Sequence, residues 1–289
     1  MALGQDGKPT SAVPEYTALF PEYYGSGVQT ETLLRDSAPL NTDLYGTLHG
    51  RFGRGSAAPV GVWITEVNVM PSEAGVTDPA AALALKARSA ARYFAFYLNK
   101  GVGKVQLYTA WDGEGGDIGY SVLQSNFARY ASSNTVYPAD GSAYTSPALN
   151  VVRRMTDVFK VGLDPHLKNT RPLQVRSLQD RHDHVQFAAA GDQPPLHNRE
   201  VLAVLPYQVN AGRFVIAYYV MTRDVRKSLT AEEYTLELGG LNAAGASFSA
   251  YDPLTGQAVP VRVHVAGRDR LVLSLPATDT PRLLTVQEK

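Results

Sequence analysis

The feature that most restricts what this chain can fold into is a change of pattern at "DPHLKNTRP", residues 164–172. Before it, long helix-forming stretches alternate with short apolar runs; after it there are only short runs of strand-forming residues separated by turn signals. Alternation of strand and helix specifies βαβ units and a parallel sheet, whereas closely spaced short strands specify an antiparallel sandwich. The chain is therefore expected to divide into residues 1–165 and residues 166–289, an α/β segment followed by an all-β domain.

Residues 1–30 are polar and turn-rich, and "TETLLRDSAPLNTDLYGTLHGRF" (30–52) predicts one or two helices broken at Pro39. "PVGVWITEVN" (59–68) is β-branched and aromatic with almost no alternation, the pattern of a central parallel strand buried on both faces. "TDPAAALALKARSAARYFAFYLNKG" (77–101) predicts a helix with Thr77 or Asp78 as N-cap, Pro79 in the first turn and Gly101 at the end. "VGKVQLYTAW" (102–111) reads as a second strand, leading into the Gly-rich acidic loop "WDGEGGDIGY". A long polar stretch then reaches "SPALNVVRRMTDVFKVGL", a helix with Ser146 as cap and Pro147 at its first position. Beyond residue 166, strands are expected near 173–178, 183–189, 200–206, 213–222, 233–238, 246–251, 258–265, 270–275 and 282–287.

Charge and composition exclude several classes of function. Lys plus Arg number 27 and Asp plus Glu number 27, so the net charge is zero and there is no electrostatic footprint for nucleic acid or an anionic membrane. No apolar stretch reaches the ~18 residues of a membrane span, and "MALGQDGKPTS" has neither the basic nor the apolar region of a signal peptide. The absence of cysteine removes disulfides, thiolate metal sites and a cysteine nucleophile, but leaves the compartment open. "GEGGDIG" lacks the strand-to-helix setting of a dinucleotide site, and there is no Gly-x-Ser-x-Gly elbow. Glu114 and Asp117 lack calcium-loop spacing, and His182 and His184, two apart in "RHDHVQF", have no third ligand at a suitable distance in sequence. No metal and no cofactor are expected.

What needs an explanation is Glu66, a carboxylate in an apolar strand, where removal from water is costly unless the group is paired or used. Glu66 and Trp111 stand at the C-terminal ends of successive parallel strands, where barrel enzymes gather their chemistry. A carboxylate beside an aromatic ring suits a sugar-cleaving site, the acid reacting while the ring stacks on the sugar. Here "VWITEVN", "LYTAW" and "SPALNVVRRMTDVF" together resemble the last two βα units of a retaining (β/α)8 glycoside hydrolase of the superfamily with its nucleophile Glu on the seventh strand, and the following β-sandwich resembles the domain that ends such enzymes.

The resemblance implies a partial TIM barrel, with Glu66 as nucleophile and Trp111 as sugar platform; Asn68, Tyr108 and Asp112 are substrate-contact candidates by position alone. It implies a poly- or oligosaccharide as partner. It also requires a second carboxyl, which the superfamily places at the end of the fourth strand after an Asn, and the sequence contains no Asn-Glu pair. A full barrel needs ~200 residues or more, and only two barrel strands are legible before the sandwich. The expectation is thus the C-terminal part of a longer, exported or unexported, glycosidase, with little activity in the 289-residue chain itself. The alternative expectation is a non-catalytic carbohydrate-binding or structural remnant.

Overall fold

The computed structural model describes residues 63–68, 71, 76–108, 146–180, 185–187, 191, 195–197, 202–220 and 229–289. The expected helices of residues 30–52 lie outside this set, as do Trp111, Asp112, Glu114, Asp117, His182 and His184.

Strand β1 (Trp63–Val67) leads to helix α1 (Pro79–Asn99), strand β2 (Lys104–Leu107) follows, and helix α2 (Pro147–Phe159) completes the first part. The caps are those the sequence specifies. Asp78 accepts the Ala81 N–H at 2.8 Å, Ser146 accepts the Leu149 N–H at 3.1 Å, and a proline follows each cap. Gly101 and Gly162, just past the two helices, have φ of 77° and 66°, a backbone that other residues adopt only under strain.

The remainder is mostly antiparallel sheet. One sheet has the order β10-β9-β13-β7-β6, from β6 (Leu202–Asn210), β7 (Arg213–Val220), β9 (Ser247–Asp252), β10 (Gln257–Val259) and β13 (Arg282–Gln287). The other has the order β11-β12-β8-β3, from β3 (Gln174–Asp180), β8 (Glu232–Gly239), β11 (Arg262–Ala266) and β12 (Leu271–Ala277). A separate pair, β4 (Val185–Phe187) with β5 (Leu196–His197), stands apart; β5 was not anticipated. The single strand expected over 258–265 is two strands, β10 and β11, in different sheets. Pro260 lies between them, and its missing N–H ends one ladder where the chain crosses to the other layer.

Leu236, Leu238, Leu271, Leu273 and Leu275 meet Leu202, Val204, Phe214, Ile216, Leu284 and Val286 between the two sheets. The five-stranded sheet is buried on its other face as well. There Ala203, Leu205, Val215, Ala217, Tyr219 and Leu283 pack against Ala87, Ala91, Ala95 and Phe96 of α1 and Val151 and Met155 of α2. The alanines recur every four residues and so share one helix face, and their small side chains let the backbone of α1 approach the sheet. The described residues thus form three layers, helices on sheet on sheet, with the core running across the division expected at residue 165.

Strand β6 is an edge, and the chain protects it. Pro206 interrupts its donors, Asn99 Nδ2 donates to the Pro206 carbonyl at 2.8 Å, the Asp164 N–H donates to the Val209 carbonyl at 3.0 Å, and the Arg171 N–H donates to Gln208 Oε1 at 2.6 Å. The connection from α2 to β3 therefore lies along the sheet edge.

Charged groups also tie α1 to the sandwich. Arg88 forms an ion pair with Asp279, the two side chains being 3% and 4% exposed. Fully buried Arg92 has its guanidinium 4.9 Å from the centre of the Tyr219 ring.

Candidate functional site

The site predicted from sequence is at the C-terminal ends of β1 and β2. These strands pair in parallel, Trp63 opposite Lys104, Ile64 opposite Val105 and Val67 opposite Leu107. Between the last two pairs β1 advances three residues while β2 advances two, so β1 carries one extra residue at Thr65-Glu66.

That extra residue decides where Glu66 points. Val67, Val105 and Leu107 pack against the core beneath, and Ile64 is half-buried. Strict alternation from Ile64 would put Glu66 on the same face as Ile64, toward the core. The bulge restores Val67 to that face and leaves Thr65 and Glu66 both exposed. Bulges re-aim side chains in this way and are enriched beside active sites.

The end of β1 is held from two sides. The Tyr108 N–H donates to the Val67 carbonyl at 3.0 Å, and the hydroxyl of Tyr93, buried on α1, donates to the Asn68 carbonyl at 3.1 Å. Asn68 is half-buried and Tyr108 is 48% exposed, so Glu66, Asn68 and Tyr108 share one end of the parallel pair. Trp111 and Asp112 lie outside the described residues.

One expectation is corrected. The strand was expected to be buried on both faces, yet Trp63, Thr65 and Glu66 are exposed, Trp63 to 64%. Among the described residues β1 and β2 form a two-stranded sheet, covered by α1 on one side, with no further strand over the other face. The Lys104 ammonium lies 5.3 Å from the centre of the Trp63 ring at the opposite end of the pair. Neither Trp63, Lys104 nor Tyr93 was singled out from sequence. The bulge did leave a trace there: in "ITEV" two polar residues stand together between apolar ones, breaking both the alternating and the all-apolar pattern.

No cluster of three or more His, Asp or Glu side chains able to hold a metal occurs among the described residues. The only described helices, α1 and α2, contain no window long and apolar enough to cross a membrane. No protein-family model matches the chain, and no curated protein matches it.

Proposed function

We propose that Glu66 is the nucleophile of a retaining glycoside hydrolase acting on a poly- or oligosaccharide, on strand β1 of a (β/α)8 barrel to which this chain contributes its last two βα units and the sandwich that follows. The observation that carries the reading is the bulge at Thr65-Glu66, which leaves a carboxylate exposed at the C-terminal end of a parallel strand. The order strand, helix, strand, helix, sandwich supports it, as does the placement of Asn68 and Tyr108 at the same strand end.

In this reading the Glu66 carboxylate attacks the anomeric carbon as the bond to the leaving-group oxygen breaks, and a second carboxyl group gives that oxygen its proton. The resulting glycosyl ester on Glu66 is then opened by water, whose proton returns to the second carboxyl. That group must stand roughly 5–5.5 Å from Glu66. The reading assigns it to other strands of a longer enzyme, because the chain has no Asn-Glu pair. The 289-residue chain is accordingly expected to turn over little substrate. Hydrolysis of activated aryl glycosides by the chain and by Glu66→Gln tests the assignment. Any measurable turnover should vanish in the variant, and turnover that survives it removes Glu66 from the role.

The exposure of Trp63 favours a second reading, a non-catalytic carbohydrate surface in which aromatic rings stack on sugar faces. Oligosaccharide binding would then survive Glu66→Gln and be lost on Trp63→Ala.

A further inference from the structure

We propose that Tyr93 is the positioning residue for Glu66, fixing the bulged register of β1 and with it the face on which the carboxylate stands. The catalytic meaning of this rests on the reading of Glu66 as nucleophile; the structural claim does not.

A bulge leaves a strand with alternative pairings, and in a two-stranded sheet few ladder bonds discriminate between them. A one-residue slip of β1 past β2 would return Glu66 to the face that packs on the core. Upstream of the bulge, register is set by Trp63 opposite Lys104 and Ile64 opposite Val105. Downstream, Val67 is opposite Leu107 and the Tyr108 N–H bonds the Val67 carbonyl. Main-chain pairing of this kind is available in either register, since every residue offers the same donor and acceptor.

The bond from Tyr93 is different, because its donor is on α1 and does not move with β2. Tyr93 is 3% exposed and its ring is stacked on that of Tyr97, centroids 6.3 Å apart. Five residues before it on the same helix, Arg88 is paired with buried Asp279, and the adjacent Arg92 lies over Tyr219 of the sheet. The hydroxyl is therefore at a fixed place relative to the sandwich, and the carbonyl it bonds at 3.1 Å is that of Asn68, two residues beyond Glu66. In the slipped register a different carbonyl would occupy that place, with the peptide facing the other way.

The test compares the full chain with Tyr93→Phe, which keeps the ring and removes the donor. Amide exchange of Val67 and Tyr108 should accelerate roughly five- to tenfold, the size expected for losing one buried hydrogen bond, while the sandwich strands are unchanged. Carbodiimide coupling of an amine to Glu66, read by mass spectrometry, should fall as the carboxylate spends time on the covered face. Equal exchange and equal labelling in the two proteins would overturn the proposal. Acceleration spread equally over α1 and the sandwich, with Glu66 labelling unchanged, would also overturn it, making Tyr93 a general packing residue. Neither readout needs turnover, so the outcome is separable from that for the glycosidase reading.

Discussion

Replacing Asp279 by Ala should unlock helix α1 from the sandwich. Both partners of the Arg88–Asp279 pair are at most 4% exposed, so the variant leaves a buried guanidinium without this carboxylate. For unit charges about 4 Å apart at an effective dielectric of about 20, the attraction lost is roughly 4 kcal/mol. Breaking one side of a buried pair is typically measured at about 3–5 kcal/mol. This is a large part of the about 5–15 kcal/mol that holds a domain folded. At about 2–4 °C per kcal/mol, the melting temperature should fall by about 6–20 °C. The assay has a built-in reporter, because both tryptophans, Trp63 and Trp111, precede residue 165, while Asp279 belongs to the sandwich. Urea unfolding followed by tryptophan fluorescence therefore reads the effect of a sandwich substitution on the βα segment. In the wild-type chain the fluorescence and far-ultraviolet circular dichroism transitions should coincide, because α1, α2 and the five-stranded sheet share one core. The double variant Arg88→Met/Asp279→Leu should regain most of the loss, since a buried pair can be replaced by apolar groups at little cost. A cost below about 1 kcal/mol for Asp279→Ala, or a tryptophan midpoint that does not move, would refute the reasoning.

Two further predictions concern the turn at Gly240. Gly240 has φ of 84°, and an added Cβ would meet the Pro172 carbonyl oxygen at 2.2 Å, so Gly240→Ala should cost at least about 2 kcal/mol in denaturant unfolding. Asp269 accepts the Gly240 N–H at 2.7 Å and pairs with Arg176, and these bonds, the first foremost, hold its carboxyl below the ordinary carboxylate value. A depressed folded pKa means that its contribution is present above the unfolded value of about 3.9 and is lost as pH falls through the lowered folded value. In pH-dependent unfolding, Asp269→Asn should therefore lose stability relative to wild type at neutral pH, with the gap closing below about pH 4.

How much of this could be read from sequence varies with how local the cause is. The caps Asp78 and Ser146, the prolines after them and most sandwich strands were legible because neighbouring residues specify them. The cover of a strand is not local. "PVGVWI" and "FVIAYYV" carry a similar apolar signal without alternation, yet Phe214–Val220 are buried throughout, between the helices and the second sheet, while Trp63 stands exposed. Nor did the pattern of α1 reveal that Lys86, Arg88 and Arg92, with Lys100 just past its end, are buried, since their surroundings come from distant parts of the chain. Of the candidate site, the strand that carries Glu66 was legible as a strand, and the buried hydroxyl that bonds the backbone at its end, that of Tyr93, was not. Its partner is a backbone carbonyl 25 residues away in sequence, and a carbonyl has no residue type to read.

Covalent trapping tests the central claim most directly. Glycosides with a fluorine at C2 and a fluoride leaving group slow the second step and need no acid to assist departure, so a competent nucleophile accumulates its glycosyl ester even where the acid is missing. Incubation of the chain with a panel of such sugars, followed by peptide mass mapping, should find one glycosyl unit on Glu66 and none in Glu66→Gln. A sugar attached to another carboxylate, or no adduct with a panel spanning the common hexoses and pentoses, would contradict the assignment of Glu66 as nucleophile.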